Sequence, residues 1–166
     1  AVHPGYGFLS ENAKFAAACR DANLTFVGPS ADVIALMGGK VTARQAAQRA
    51  GVPVVPGTDT PLGPNLSDIE VKQIAMEVGY PLFVKAVAGG GGRGMRMVRE
   101  PEGLTSALRE ARSEAQTAFG DEFVYLERQI IEPRHIEVQL LGDSHGTIVP
   151  FVERDCSIQR RYQKVV

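Results

Sequence analysis

The sequence predicts an α+β fold with antiparallel hairpins in its C-terminal half. Helix-like and strand-like segments alternate along the chain. The stretch "FVKAVAGGGGRGMRMV" places five glycines between two strand-like runs, and "HIEVQLLGD" shows the period-2 pattern of a strand before the turn "GDSHG". Strands and helices do not follow a repeating βαβ order, so the sequence does not favour a doubly wound nucleotide-binding fold.

The first half of the chain contains three predicted helices. "SENAKFAAACRDAN" predicts a helix capped by Ser10, and "LTFVGPS" predicts a short strand ended by Gly-Pro. A second helix is expected from Ser30 to about Met37, and "KVTARQAAQRAG" predicts a third that ends at Gly51. The two prolines of "VPVVPGT" make that segment an extended connector.

The second half begins with a predicted helix capped near Ser67. Its expected apolar face consists of Ile69, Ile74, Ala75 and Val78. "LFVKAVA" and "MRMV" then form a hairpin around the glycines, and "EPEGLTSALREARSEAQTAFG" is the longest predicted helix, ending at Gly120. Three strands follow, in "EFVYLERQI", "HIEVQLLGD" and "GTIVPFVERDCSIQRR".

Composition restricts the kinds of partner. The chain has 166 residues, 44% of them hydrophobic and 22% charged, with 18 Lys and Arg against 19 Asp and Glu. This balance gives no reason to expect nucleic acid or a membrane as partner. Two distant cysteines, Cys19 and Cys156, indicate neither a disulfide framework nor a zinc site. We therefore expect a cytoplasmic protein, or a mitochondrial one if the source is eukaryotic.

The glycine-rich segment is a candidate phosphate-binding loop. It lacks the Walker pattern, and a strand rather than a helix follows it, which excludes the dinucleotide fingerprint. Glycines in a hairpin tip let backbone N–H groups approach an anion closely, as in the nucleotide-covering loop of kinases. Lys85 lies on the strand that enters the loop and suits a phosphate oxygen. The alternative is a mobile turn with a solvated lysine.

Six blocks, in order along the whole chain, carry a family resemblance. They are "HPGYGFLSENA", "GPSADVIALMGGKVTAR", "AGVPVVPGT", "VKAVAGGGGRGMRMV", "PRHIEVQLLGD" and "ERDCSIQRRYQKVV". Together they resemble the biotin carboxylase component of biotin-dependent carboxylases, which are ATP-grasp enzymes. The segment "SEAQTAFGDEFVYLERQIIEPRHIEVQLLGD" is most similar to pyruvate carboxylases, although acetyl-CoA and propionyl-CoA carboxylases share much of it.

The resemblance implies a division into four parts. Residues 1–38 would be the end of the N-terminal biotin carboxylase subdomain, and residues 39–56 a connecting helix and linker. Residues 57–127 would form the ATP-grasp lid with its glycine hairpin, and residues 128–166 the start of a C-terminal antiparallel sheet. We expect the chain to be an internal fragment of a longer protein.

The resemblance also implies a reaction and its participants. Bicarbonate attacks the γ-phosphoryl group of ATP to give carboxyphosphate, whose CO2 then carboxylates biotin. The expected cofactors are ATP, Mg²⁺ or Mn²⁺, and biotin as a carrier-bound substrate. The expected partners are a biotin carboxyl carrier domain and a carboxyltransferase part, and family members are expected to be homo-oligomers.

Site residues follow from the motif positions. The resemblance assigns ATP binding to Lys40, Lys85, Gly91, Gly92, the hinge residues Glu127, Arg128, Gln129 and Ile130, and His135, Gln159 and Tyr162. Lys164 matches a lysine of the bicarbonate site. At the hinge, adenine would be read chiefly by backbone groups.

Three positions depart from the family pattern, and one cysteine needs a role. Gly39 stands where Asp is usual, Arg128 where Lys is common and Tyr162 where many members have His. A Tyr hydroxyl still forms hydrogen bonds but carries no positive charge. Cys156 has no evident general base beside it, so we expect a structural role.

The resemblance places the remaining catalytic groups beyond the last residue. The metal-binding glutamates, the general base and the arginine that acts on biotin would follow "QKVV", so no metal ligand is assigned here. We expect these residues alone to bind ATP weakly at best, without turnover. Two alternatives remain: another bicarbonate-activating ATP-grasp ligase such as carbamoyl phosphate synthetase, or a non-catalytic ATP-binding module.

Overall fold

A computed structural model describes residues 1–88 and 94–160, and the backbone of residues 163–164. The helices are α1 (Ala13–Asp21), α2 (Ala31–Gly38), α3 (Lys40–Arg49), α4 (Asp68–Val78) and α5 (Leu104–Phe119). The strands are β1 (Leu82–Ala86), β2 (Met95–Val98), β3 (Val124–Arg128), β4 (Ile136–Gly142), β5 (Ile148–Asp155), β6 (Gln159–Arg160) and β7 (Gln163–Lys164). This content confirms the predicted α+β class.

Strands β1, β2 and β3 form an antiparallel sheet with β1 in the centre. The predicted hairpin around the glycines is confirmed, since Lys85 pairs with Met95 and Leu82 with Val98. The strand of "EFVYLERQI" joins this sheet, where Val84 lies opposite Leu126. The sheet therefore combines the glycine hairpin with the strand that precedes the predicted hinge.

Helices α4 and α5 cover one face of this sheet and complete the main core. The core contains Leu62, Val71, Ala75, Val78, Leu82, Val84, Val98, Leu104, Ala107, Leu108, Ala111, Val124 and Leu126. Leu82, Val84, Val124 and Leu126 share the covered face because side chains alternate along a strand. The neighbouring odd-numbered residues lie on the opposite face of the sheet.

Two helix predictions need correction at the level of single residues. Helix α1 is capped by Asn12, whose Oδ1 accepts from the Phe15 N–H at 2.9 Å, and not by Ser10. Ser10 instead lies in a 3-10 turn over Phe8–Glu11 and donates to the Gly7 carbonyl. On α4, Ile69 was expected on the apolar face but is 79% exposed, and Val71 is buried instead. The true apolar face is rotated toward Val71, Ala75 and Val78.

The other helix ends follow their sequence signals. Ser30 caps α2, and Ser67 caps α4 in a capping box in which the Glu70 carboxylate accepts from the Ser67 N–H at 2.8 Å. Gly120 ends α5 in the left-handed conformation, with φ of 70°. The predicted strand in "LTFVGPS" was wrong, because the structure shows a single parallel bridge there, from Val2 to Phe26.

Strands β4 and β5 form a separate hairpin closed by the predicted turn. Asp143 accepts from the N–H groups of His145 and Thr147 at 2.8 and 2.9 Å, which fixes the turn. Both strands are exposed along most of their length, and their exposed apolar residues are Ile136, Val138, Leu140, Leu141, Ile148, Val149, Phe151 and Val152. The hairpin thus contributes little to the main core.

None of the helices in the described part of the chain is long and apolar enough to cross a membrane.

The connector before α4 approaches β3 at a glycine, which gives a test of the packing. Gly57 forms a bridge with Glu127, and a Cβ at Gly57 would lie 2.5 Å from the Leu126 carbonyl oxygen. Gly57→Ala should therefore lower the free energy of unfolding by about 1–3 kcal/mol, because backbone must shift. Urea denaturation measures this change.

A matched control comes from another strand. At Gly142 the nearest atom to an added Cβ is the Thr147 carbonyl oxygen, 3.8 Å away, an ordinary contact. Gly142→Ala should leave the unfolding free energy nearly unchanged. Equal effects of the two substitutions would contradict the close approach at Gly57.

Candidate functional site

The face of the three-stranded sheet opposite the helices gathers charged and aromatic side chains. Phe83 pairs with Glu127 and Lys85 with Tyr125 in the β1–β3 register. These four odd-numbered residues point away from the core because their even-numbered neighbours are buried in it. The sheet therefore presents one lysine and one carboxylate next to each other at the base of the glycine loop.

Lys85 is held from several sides on this face. Its ammonium forms an ion pair with Oε1 of Glu127, and the two side chains are 21% and 26% exposed. The Nζ atom lies 5.5 Å from the ring centre of Phe83 and 6.0 Å from that of Tyr125. Both rings are within the range of cation–π attraction. The Lys85 side chain is thus fixed near the end of β1.

Lys40 approaches the same place from another element. It is the first residue of α3, and its Nζ donates to the Ala86 carbonyl at 3.4 Å, at the last residue of β1. Burial lowers the pKa of Lys40, the nearby Lys85 charge lowers it further, and Glu127 opposes the decrease. Two lysine ammonium groups therefore converge where the glycine loop begins.

Helix α3 is attached to the connector through Asp59. Arg44 Nε donates to the Asp59 carboxylate at 3.1 Å and Gln48 Nε2 at 2.9 Å, while Gln45 donates to the Asp59 carbonyl at 2.7 Å. Hydrogen bonds from Gln48 and Arg44 hold the pKa of Asp59 below its usual value. These contacts fix α3 against the connector and so help to place Lys40.

Tyr125 remains uncharged beside the lysines. Burial raises the pKa of its hydroxyl, the Glu127 charge raises it further, and Arg44 acts in the opposite direction. Its ring is a neutral wall of the site and is nearly fully buried. Because Tyr125 stays neutral, it adds no negative charge beside the two lysines, which suits a phosphate ligand.

The residues that follow Glu127, predicted to form the hinge, are held by backbone hydrogen bonds and by one side chain. The Arg128 N–H donates to Pro56 O at 2.8 Å and the Gln129 N–H to Pro81 O at 2.9 Å. The Arg128 guanidinium turns to the end of α4, where Nε donates to Val78 O at 2.6 Å. The backbone reading of adenine at residues 127–130, which includes the half-exposed Ile130, stays a prediction.

His135 and Gln159 meet in a second cluster. The Gln159 amide nitrogen lies 2.9 Å from His135 Nδ1 and also donates to Cys156 O at 3.3 Å. The His135 N–H donates to Ser157 Oγ at 2.9 Å, and its carbonyl accepts from the Cys156 N–H at 2.6 Å. Cys156 itself is buried. The two predicted ligands therefore lie together, at the base of the β4–β5 hairpin.

The cluster around His135 and Gln159 also contains the Asp155 carboxylate, and the titration of this group tests the described contacts. The Asp155 carboxylate accepts from Ser157 Oγ at 2.6 Å and from Arg134 at 2.9 Å, and these bonds lower its pKa from 3.8 to about 2. A depressed pKa adds stability that is complete above pH 3.8 and is lost as the pH falls through about 2. We expect the Asp155 ¹³Cγ NMR resonance to titrate near pH 2.

The control removes the largest contributor to this shift. Ser157→Ala should move the midpoint of the Asp155 resonance upward, since the Ser157 hydrogen bond is the main cause of the low pKa. A wild-type midpoint near 3.8 would contradict the described cluster.

Four predicted ligands lie wholly or partly outside the described residues. Gly91, Gly92 and Tyr162 lie outside the described residues, and Lys164 is described in its backbone alone. Strand β7 pairs with β6 so that Lys164 lies opposite Gln159. Within residues 1–88 and 94–160, no group of three or more His, Cys, Asp or Glu side chains is arranged to hold a metal ion.

Comparison with known proteins settles the family. Residues 39–166 match the family described as "Carbamoyl-phosphate synthase L chain, ATP binding domain", and residues 1–34 match "Biotin carboxylase, N-terminal domain". The chain belongs to the family of the carbamoyl-phosphate synthase L chain ATP-binding domain, and its first 34 residues match the N-terminal domain of biotin carboxylases. The resemblance carried by its six sequence blocks is thereby confirmed.

Relatives named biotin carboxylase and pyruvate carboxylase are similar to the full length of this chain. It is 52% identical over 166 residues to biotin carboxylase of Haemophilus influenzae and 57% identical over 166 residues to pyruvate carboxylase 1 of Caenorhabditis elegans. It spans 37% and 14% of the lengths of those two proteins.

A solved structure gives the same result for the fold. The biotin carboxylase domain of Hydrogenobacter thermophilus 2-oxoglutarate carboxylase, a dimer in complex with MgADP, ADP and bicarbonate, superposes with a TM-score of 0.87 at 51% identity. The match covers 98% of this chain and 35% of that one. The ATP-grasp fold predicted for the chain is confirmed.

Several residues of the candidate site were not predicted from the sequence. Phe83 and Tyr125 were not singled out, and neither was the Arg44–Asp59 bond. The side chain of Glu127 was not expected to bind Lys85. A signal was present in "LFVKA" and "VYLER", because strict alternation puts Phe83 and Lys85, or Tyr125 and Glu127, on one face.

Proposed function

We propose that this chain provides the ATP-binding part of an enzyme that carboxylates biotin with bicarbonate at the expense of ATP. The convergence of Lys40 and Lys85 at the entrance to the glycine loop carries this proposal. Two ammonium groups on separate elements, one at the start of α3 and one on β1, can contact different oxygens of one polyphosphate.

The reaction requires that bicarbonate and ATP are positioned next to each other and that the negative charge of the phosphates is neutralised. Bicarbonate oxygen attacks the γ-phosphorus of ATP, ADP leaves, and the carboxyphosphate formed breaks down to CO2 and phosphate. A ureido nitrogen of biotin, after losing its proton, then attacks CO2. Lysines that neutralise the phosphates lower the barrier of the first step, in which negative charges are brought together.

The site residues of the proposal fall into four groups. Lys40 and Lys85 bind phosphates together with the loop amides of Gly91 and Gly92, and residues 127–130 hold the adenine. His135, Gln159 and Tyr162 contact the nucleotide from the β4–β5 side, and Lys164 binds bicarbonate. The bond between His135 and Gln159 supports the third group, because it places two polar side chains beside each other.

The division of the chain follows the same reasoning. Residues 1–38 end the N-terminal subdomain, residues 39–56 connect, residues 57–127 form the lid and residues 128–166 begin the C-terminal subdomain. The compact packing of β1–β3 with α4 and α5 supports the lid as a unit. The hinge would follow Glu127, where the chain leaves this sheet.

Metal and partners complete the proposed enzyme. The described acidic residues do not form a Mg²⁺ or Mn²⁺ site, so we assign no step to a metal within this chain. Biotin would arrive on a carboxyl carrier domain and leave for a carboxyltransferase part, in a homo-oligomer of the cytoplasm or mitochondrion. A pyruvate or acyl-CoA carboxylase is the proposed context, supported by the relatives named above.

The test separates binding from turnover. Isothermal titration of the 166-residue chain should detect ATP binding without ADP formation. A longer protein that includes this chain and the remainder of the fold should form ADP in a manner dependent on bicarbonate and biotin. No ATP binding, or turnover by the 166 residues themselves, would contradict the proposal.

A further inference from the structure

The Glu127 carboxylate occupies a central place in the lysine cluster. It pairs with the Lys85 ammonium and also acts electrostatically on Lys40, whose charge it favours. Its own backbone is fixed, since Glu127 lies on β3 opposite Phe83 and bridges to Gly57. A carboxylate on a rigid strand thus faces two lysines that come from two other elements.

We propose that Glu127 is a positioning residue, whose carboxylate holds the Lys85 ammonium and offsets the repulsion between Lys85 and Lys40, so that both cations are in place before a phosphate arrives. This inference rests on the proposed function, because it deepens the role of the same two lysines. It concerns the side chain of Glu127, and it is separate from the reading of adenine by the hinge backbone.

The geometry around Lys85 explains why a carboxylate is effective there. A free lysine side chain samples many rotamers, and ordering it on binding costs affinity. The Phe83 and Tyr125 rings restrict Lys85 laterally, and the Glu127 carboxylate fixes its ammonium. Because these contacts exist before binding, a phosphate does not need to order the side chain.

The lysines on the neighbouring elements place positive charge around the Glu127 carboxylate. Helix α3 contributes Lys40, β1 contributes Lys85, and β3 contributes the uncharged Tyr125 beside Glu127 itself. Lys85 lowers the pKa of Lys40, and Glu127 counteracts this. Removal of the carboxylate would therefore leave two like charges close together with less compensation.

The first experiment needs no nucleotide. The ¹³Cε resonances of Lys40 and Lys85 are followed through a pH titration in the wild-type chain and in Glu127→Gln, which keeps the side-chain shape but removes the charge. The titration midpoint of Lys40 should move downward in the variant. Glu153→Gln, an exposed glutamate on β5, is the control and should leave both resonances unchanged.

The second experiment measures nucleotide affinity. Glu127→Gln should weaken ATP binding about two- to tenfold, the range expected from losing the order of one or two long side chains. Glu127→Asp, which keeps the charge on a shorter stem, should recover part of the loss, and Glu153→Gln should bind like the wild type.

The outcomes distinguish this inference from the proposed function. Absence of ATP binding by the wild type refutes the proposed function, whereas an unchanged Lys40 titration in Glu127→Gln overturns the positioning role whether or not ATP binds. Tighter ATP binding by Glu127→Gln would show that the carboxylate competes with phosphate, and this also overturns it.

Discussion

Replacing Lys85 with methionine should weaken ATP binding by roughly 10- to 100-fold, because a charge-assisted hydrogen bond contributes about 1.5–3 kcal/mol. Methionine keeps the apolar stem against Phe83 and Tyr125, so the loss comes from the ammonium. Isothermal titration with ATP at fixed salt measures the change. We place this among the largest effects because Lys85 is partly desolvated and fixed on a strand.

Two further variants make this result specific to the site. Lys72→Met removes a lysine from the exposed side of α4 and should leave the ATP affinity unchanged. Lys85→Met combined with Glu127→Gln removes both members of the ion pair and so avoids an unpaired carboxylate. If the double variant binds like the wild type, the lysine does not contact phosphate and its role is structural.

The local elements were predictable where the signal lies within a few residues. The cap at Ser67, the left-handed glycine at Gly120 and the turn at Asp143 each depend on neighbours in sequence. The errors arose where two local signals compete. Ser10 and Asn12 are both good caps, and the turn over Phe8–Glu11 leaves Asn12 to begin α1.

The site was predictable as a set of residues but not as a set of contacts. Lys40 and Lys85 were identified through motifs, and the structure brings both to the end of β1. The bond between Lys85 and Glu127 joins residues 42 positions apart, so it depends on the register of β1 against β3. Register is fixed by the packing of the buried face, which a single-sequence pattern does not specify.

Leu126→Ala should lower the free energy of unfolding by about 2–5 kcal/mol, the usual cost of truncating a fully buried leucine. Leu126 has no exposed surface and lies on the core side of β3, opposite Val84. Urea denaturation followed by circular dichroism measures the loss. The substitution leaves a cavity beneath the sheet because the helices α4 and α5 cannot close fully over it.

Leu141→Ala is the matched control, since Leu141 lies on β4 and is 60% exposed. Its truncation should change the unfolding free energy by less than about 0.5 kcal/mol, as for other exposed positions. The contrast also tests the site, because the alternation that buries Leu126 is what turns Glu127 toward Lys85. Equal effects at both leucines would mean that β3 does not present its even-numbered residues to the core, and Glu127 would then have no fixed direction toward the lysines.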